Sequence, residues 1–178
     1  SERQSVLPPA EEAALIAEAT EVLSRAEGTP PKGWLSPWIA ESPVTPDLLK
    51  QAGYRYTLNW CMDDQPVWMR TAHGPLLSIP YPQEANDIPS IVGRKDGAEA
   101  FAAIVRDTFD EMLEQSTAQP LVMGIALHPY LVGQPHRLRH LRRVLTHICA
   151  HRDEIWLTRA GDIFAFCDTC PAIPKPEH

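Results

Sequence analysis

The chain has 178 residues, and its hydrophobic share of 44% is enough to build the core of one ordinary domain. Its 23 acidic residues outnumber its 16 Lys and Arg residues, which gives a formal net charge of −7. Nucleic acid is therefore not an expected partner. No apolar run reaches the roughly 20 residues that a membrane span needs, and residues 1–30 lack a signal-peptide pattern, so we expect a cytoplasmic protein without a membrane partner.

Helix start and stop signals predict the elements of the first third of the chain. Pro8 and Pro9 precede an apolar stripe, and Gly28 follows it with the flexibility that a left-handed helix end requires. Many of the 18 prolines of the chain lie in the loops that follow, because proline interrupts regular structure. These elements are a helix over 11–26, a loop with a short extended piece over 29–44, and a helix of about two turns from Thr45.

The rest of the chain alternates between strand and helix patterns. A continuous apolar run at 121–127 is typical of a strand that is covered on both faces. This alternation predicts an α/β fold built around parallel strands. The predicted elements are strands at 54–58, 76–79, 121–127 and 155–157, and helices at 96–116, 135–151 and 160–166.

His128 provides the strongest signal for a functional site. It follows the apolar run directly, and ligands of parallel α/β folds gather where the strands end. A histidine there is suited to general acid or base chemistry, because it titrates near neutral pH. Sequence spacing alone leaves an equal alternative, a structural histidine that is hydrogen-bonded to its own loop.

Two polar clusters follow predicted strands and provide weaker signals. Asp63 and Asp64 leave the strand at 54–58, and Asn86 and Asp87 follow the strand at 76–79. Carboxylates at such positions orient a histidine, bind a metal or hydrogen-bond an amide substrate. Adjacent acids before a proline more often form a solvated turn, so this alternative stays open.

Two other motifs have ordinary explanations. The helix at 135–151 carries two His-x-x-x-His pairs, but their four histidines share one side and the apolar residues share the other. This arrangement favours a histidine stripe in solvent over a zinc site. Cys167 and Cys170 form a Cys-x-x-Cys pair in a Pro-rich stretch, where two ordinary thiols near a frayed terminus are expected.

Read together, these segments resemble the polysaccharide-deacetylase (NodB-homology) superfamily, and within it the allantoinase-like subgroup. The resemblance extends from about residue 11 to 166 and assigns 167–178 to a Pro-rich tail. The matching segments are Gly28-Thr-Pro-Pro-Lys-Gly-Trp34, Leu48-Leu49 with Gly53-Tyr54, Asp63-Asp64-Gln-Pro66, the nine residues from Ile79 to Asp87, Leu127-His-Pro-Tyr-Leu-Val-Gly133 with Arg137, Ile155-Trp156, and Asp162-Ile163.

The resemblance implies a partial, distorted (β/α) barrel that hydrolyses non-peptide carbon–nitrogen bonds. His128 would protonate the departing nitrogen, with Asp63 and Asp64 as its partner acids. The implied substrate is a small amide, a cyclic ureide or an N-acetyl sugar. Five further residues are predicted to bind it, namely Trp34, Trp60, Asn86, Asp87 and Tyr130.

The chain departs from the family pattern at two places and lacks one segment. Pro30 replaces an arginine, and the acidic positions before Asp63 are occupied by Thr57-Leu58-Asn59. The segment that carries the family's metal ligands and catalytic base would precede Ser1, so we expect no metal ligands or cofactor on this chain. A divalent metal would need ligands from an N-terminal segment or a partner.

Without the first two or three strands of the family's barrel, the remaining parallel strands would have an unpaired sheet edge. Proteins rarely leave such an edge bare. We therefore expect a homo-oligomer or a complementary chain. The alternative to an enzyme is a non-catalytic barrel relative that acts as a binding or assembly subunit.

Overall fold

A computed structural model describes residues 3–176 of the chain. These residues divide into two units. The first, which we call the sheet unit, contains the described residues up to Ile79 and those from Arg159 onward. The second, which we call the helical unit, extends from Pro80 to Thr158. The proposed catalytic histidine therefore belongs to the helical unit.

The sheet unit begins with the helix that the sequence predicts. Helix α1 spans Pro9–Glu27 and ends at Gly28, whose φ of 73° is the left-handed conformation that glycine adopts readily. Helix α2 spans Thr45–Gln51, and α6 spans Ala160–Thr169. Because α6 continues to Thr169, it extends beyond the predicted helix end at 166. The boundary between domain and tail stays a prediction.

Within residues 3–176, the sheet has four strands in the order β1-β2-β4-β3. The strands β1, β2 and β4 are parallel neighbours, whereas β3 pairs with β4 in an antiparallel hairpin. The predicted parallel strands are confirmed, although β1 and β2 are short, and the hairpin strand β3 was not predicted. The bounds are Gly33–Trp34 for β1, Tyr56–Thr57 for β2, Val67–Thr71 for β3 and Gly74–Ser78 for β4.

The helical unit consists mainly of helices. Immediately after Asp87, a π-helical turn spans Ile88–Arg94, a form that is rare and found often at functional sites. The short helix α4 follows His128 directly. The other helices of this unit were both predicted, and the bounds are Ala98–Gln115 for α3, Pro129–Val132 for α4 and Pro135–Ala150 for α5.

Two predicted strands of the helical unit are wrong. The run at 121–127 is extended, but its only described strand pairing is a single parallel bridge between Asn86 and Ala126. Its other residues are half-buried rather than covered on both faces. The adjacent segment of the same chain pairs with this run only through the bridge at Ala126. The residues 155–157 form no strand, and Trp156 is exposed.

Each unit has its own hydrophobic core. In the helical unit the buried faces of α3 and α5 pack together, with Phe101, Val105 and Phe109 on α3. Leu141, Val144 and Ile148 supply the α5 side of this core. In the sheet unit the core consists of Ile16, Trp34, Leu49, Tyr54 and Leu76.

The packing of α3 against α5 predicts a large effect for one core substitution. Phe101 is only 2% exposed, so Phe101→Ala leaves a cavity and should lower the free energy of unfolding by about 3–5 kcal/mol. Urea unfolding measures this change. The control is Val92→Ala in the same unit, which is 56% exposed and should cost under about 0.5 kcal/mol. Equal losses for the two variants would contradict the assigned core.

Candidate active site

His128 lies where the extended segment at 121–127 meets helix α4. Its backbone carbonyl accepts hydrogen bonds from the N–H groups of Leu131 and Val132, at 2.8 and 3.1 Å. These bonds form the first turn of α4 and fix the backbone from which the imidazole projects. Pro129 begins the helix, a position that proline favours.

Asp87 is the acid that contacts His128. Its Oδ1 lies 2.6 Å from His128 Nδ1, and its Oδ2 accepts a 2.6 Å hydrogen bond from the His128 backbone N–H. Asp87 is fully buried, whereas the His128 side chain is 34% exposed. The two residues therefore form a dyad with a buried carboxylate and a solvent-accessible imidazole.

Backbone pairing brings the dyad together across a separation of 41 residues. The Asp87 N–H donates to the Ala126 carbonyl at 3.1 Å, and the Ala126 N–H donates to the Ala85 carbonyl at 2.9 Å. These bonds place the segments before Asp87 and before His128 side by side. The histidine is thus not held by its own loop alone, which was the alternative that the sequence left open.

The two ring nitrogens of His128 have different roles in the dyad. An ionised carboxylate only accepts hydrogen bonds, so Asp87 favours a proton on His128 Nδ1. The other ring nitrogen, Nε2, is then the atom that exchanges a proton with a substrate. A buried carboxylate in this position also fixes the orientation of the imidazole ring.

The remaining predicted residues of the helical unit differ in accessibility. Tyr130 is 69% exposed, and its ring centroid lies 5.7 Å from that of His128, so it is placed to contact a substrate beside the imidazole. Asn86 is buried, and its Oδ1 accepts the Ile88 N–H at 3.2 Å. The burial of Asp87 and the use of both its oxygens by His128 argue against the expected contact of Asp87 with substrate.

Asp63 and Asp64 lie in the sheet unit, in the loop after β2. Both are exposed, and the Asp63 Oδ1 accepts the Asp64 backbone N–H at 2.7 Å. This geometry is that of a solvated turn, the alternative that adjacent acids suggest. Their predicted catalytic role stays a prediction, and the carboxylate that touches His128 is that of Asp87.

The two predicted tryptophans of the sheet unit have different environments. Trp34 is buried, and its indole N–H lies 3.1 Å from Gln4 Oε1 and 2.8 Å from Ser36 Oγ. Its edge packs against the Tyr54 ring at a centroid distance of 5.2 Å, so Trp34 acts as a core residue. Trp60 is 44% exposed and remains available for the predicted contact with a ligand.

Asn59, one of the departures from the family pattern, joins the end of β2 to the loop at 36–41. Its Oδ1 accepts the Ser36 N–H at 2.7 Å, and its Nδ2 donates to Ser36 Oγ at 2.7 Å and to the Glu41 carboxylate. An aspartate could not donate these hydrogen bonds, so the side-chain amide of Asn59 is suited to pair with the carboxylate of Glu41. Burial raises the pKa of Glu41, while the hydrogen bond from Asn59 opposes that change.

The raised pKa of Glu41 predicts a pH dependence of stability. Its folded-state pKa lies above the ordinary 4.5, so its contribution is fully present below that value and is lost as pH rises through the folded-state pKa. Glu41→Gln stays neutral and should raise the free energy of unfolding at about pH 7, with little change at about pH 3.5. Urea unfolding at both pH values tests this. The exposed Glu18→Gln should show no such difference, and a destabilised Glu41→Gln at neutral pH would contradict the assignment.

No three His, Cys, Asp or Glu side chains within residues 3–176 form a group that could hold a metal ion. The expectation of ordinary thiols near a frayed terminus needs one correction, because Cys167 lies buried inside helix α6. Burial raises the pKa of its thiol.

The histidines at positions 136, 140, 147 and 151 were expected to face solvent, but His147 and His151 contact α3. His147 Nε2 lies 2.5 Å from Asp110 Oδ1, and the His147 and His151 rings both lie against Phe109, at 5.8 and 5.6 Å. The expectation is wrong for this pair, because the two rings reach the rim of the interface between the helices. His136 is exposed, as expected.

Comparison with known proteins shows the relatives of this chain. No protein-family model matches it. A curated Schizosaccharomyces pombe protein named "Putative polysaccharide deacetylase" is 32% identical over 112 residues, which are 57% of this chain and 35% of that protein. The crystal structure of Puue allantoinase matches with a TM-score of 0.87 at 28% identity, over 96% of this chain and 57% of that one. The chain is similar to a polysaccharide deacetylase and to an allantoinase.

A second solved structure supports the same relationship. The crystal structure of a "probable Polysaccharide deacetylase" from Pseudomonas aeruginosa PAO1 matches this deacetylase-like chain with a TM-score of 0.84 at 29% identity. It covers 96% of this chain and 57% of that one. The predicted α/β fold of the polysaccharide-deacetylase type is confirmed.

The deacetylase-like chain spans only part of its relatives. It covers about a third of the curated protein and 57% of each of the two solved structures. Within the described residues, no helix is both long and apolar enough to cross a membrane.

Proposed function

We propose that the deacetylase-like chain takes part in hydrolysis of a non-peptide carbon–nitrogen bond, with His128 as the general acid. The observation that carries the proposal is the dyad, in which a buried Asp87 holds a partly exposed imidazole. The names of the relatives, polysaccharide deacetylase and allantoinase, support this reaction class. The substrate would be an N-acetyl sugar or a cyclic ureide.

The proton transfer follows from the geometry. Water adds to the amide carbon and releases one proton to solvent, and the bond between that carbon and nitrogen breaks with its electron pair passing to nitrogen. The acyl group leaves as a carboxylic acid. His128 Nε2–H donates its proton to this nitrogen, so the leaving group departs as a neutral amine. Asp87 holds the ring through Nδ1, so that Nε2 is the nitrogen that faces the substrate. Tyr130 would contact the substrate beside the imidazole.

The test measures acetate release from chitohexaose and ring opening of allantoin by the whole chain. Turnover that depends on His128 supports the proposal, and the favoured substrate identifies the bond. Unchanged turnover in the His128→Ala variant would contradict the proposal.

A second candidate function is a non-catalytic binding or assembly subunit. The observation that favours it is Pro30, because a proline cannot supply the guanidinium that the family pattern has at this position. This function predicts binding of the same substrates without turnover by the whole chain.

A further inference from the structure

Helix α5 carries a concentration of positive charge that the proposed chemistry does not use. Its 16 residues include four arginines and no acidic residue. The whole chain has a net charge of −7, so the remainder, −7 − 4, carries −11. An acidic protein thus presents one strongly basic helix, about 24 Å long at about 1.5 Å per residue.

The positive charges of α5 point away from the core. Leu141, Val144 and Ile148 are buried against α3, whereas Arg139, Arg142 and Arg143 are all exposed. We call these three residues the arginine face. Among the described residues, no ion pair or hydrogen bond involves any of the three side chains, although other exposed arginines, such as Arg25 and Arg106, do pair with carboxylates.

The arginine face has no structural explanation within the helical unit. Arg137, by contrast, donates to the Leu131 carbonyl at 3.2 Å and so supports the loop after His128. Like charges four residues apart on a helix destabilise it, and Arg139 and Arg143 have this spacing on α5. Local rules that are broken without compensation are typical of functional sites.

We propose that the arginine face binds an anionic polysaccharide that carries carboxylate groups. The proposal rests on the proposed function and deepens it by naming the charge class of the substrate. Helix α5 begins seven residues after His128, in the same unit. A polymer with one sugar at His128 extends to neighbouring sugars, and guanidinium groups bind their carboxylates through paired, charge-assisted hydrogen bonds.

Charge and composition favour a thin glycan chain over other polyanions. A broad anionic surface, such as a membrane or duplex nucleic acid, would also approach the rest of the helical unit, where acidic residues outnumber basic ones and repel it. Single-stranded nucleic acids are bound largely by stacking on aromatic residues, and α5 contains no Trp, Tyr or Phe. A single polymer strand can follow the arginine face alone.

The experiment measures binding of a fluorescent hyaluronan octasaccharide to the whole chain by anisotropy. This probe carries both N-acetyl groups and carboxylates, and chitohexaose is its neutral counterpart. The triple variant Arg139→Gln, Arg142→Gln, Arg143→Gln should weaken binding at least about tenfold, since it removes three charge-assisted contacts. The matched triple variant Arg25→Gln, Arg70→Gln, Arg106→Gln makes the same charge change at other exposed positions and should bind like the wild type.

Several outcomes would overturn the proposal. They are equal binding of the anionic and neutral oligosaccharides, equal losses in the two triple variants, tighter binding of oligo(dT), tighter binding of phosphatidylserine vesicles, and self-association that requires the arginine face. The assay needs no turnover, so it is separate from the proposed function. Binding without hydrolysis would count against the general acid alone, and hydrolysis without charge-dependent binding would count against the arginine face alone.

Discussion

Replacing His128 with alanine should reduce hydrolysis of the preferred N-acetyl or ureide substrate by about 10²-fold or more, the usual contribution of a positioned general acid. Without the imidazole no group of the dyad can protonate the departing nitrogen, because Asp87 is fully buried. The fold should persist, since the His128 side chain is partly exposed. Turnover kinetics and a urea unfolding curve measure the two effects.

The control for this variant is His73→Ala, which removes an exposed histidine from the sheet unit. It should leave turnover unchanged. If both alanine variants retain full activity, His128 is not the acid. If the wild type binds the substrates but does not turn them over, the non-catalytic subunit becomes the better account.

The Asp87→Asn variant should also lose about 10²-fold or more in kcat, with a smaller change in KM. In the wild type, the two oxygens of Asp87 accept the His128 backbone N–H and the Nδ1–H. The asparagine side chain has only one oxygen to accept both. The other polar atom of the asparagine side chain is an amide nitrogen, which donates hydrogen bonds and cannot accept the Nδ1–H. The buried hydrogen bond that is lost should lower the free energy of unfolding by about 1–3 kcal/mol.

A second Asp–His pair in the helical unit provides the matched control. Asp110 contacts His147 at 2.5 Å on the rim of the interface between α3 and α5, and both side chains are partly exposed. Asp110→Asn should leave kcat unchanged and cost under about 1 kcal/mol. An Asp87→Asn variant with normal kcat would show that Asp87 serves the fold and not the chemistry.

The helices were predictable because each carries a complete local pattern. α3 has apolar residues at helical spacing, and Phe101, Val105 and Phe109 from that pattern are buried in the structure. α1 has prolines before it and a glycine after it, and both ends fall within two residues of the prediction. Apolar spacing and helix start and stop signals lie within one or two helical turns of sequence. They can therefore be recognised without knowing which residues pack against the helix.

The strands were less predictable because pairing depends on neighbours that are distant in sequence. The hairpin strand β3 has no clear alternation of buried and exposed residues, and it forms because Gly74, with φ of 109°, closes a turn to β4. The run at 121–127 has the composition of a buried strand, but only Ala126 forms a bridge. Composition therefore indicated extended structure without showing what covers it.

The position of His128 was predictable, but its acid partner was not. Three aspartates follow predicted strands, namely Asp63, Asp64 and Asp87, and the sequence does not show which of them reaches the imidazole. Asp63 and Asp64 were chosen from the family resemblance, whereas the pairing of the Asp87 and Ala126 backbones brings Asp87 to His128. One signal for Asp87 was present in the sequence but was not used. Asp87 directly precedes Ile88-Pro89, and proline favours the first turn of a helix, so Asp87 lies at a helix start where its backbone is fixed.

The most direct test of the dyad is a long-range ¹H–¹⁵N NMR spectrum of the histidine rings in the wild type and in Asp87→Asn. Because the carboxylate accepts the Nδ1–H, neutral His128 should carry its proton on Nδ1 in the wild type, and the Nε2–H tautomer should gain population in the variant. This measurement needs neither substrate nor turnover. A wild-type His128 that carries its proton on Nε2, or a spectrum that does not change in Asp87→Asn, would contradict the account.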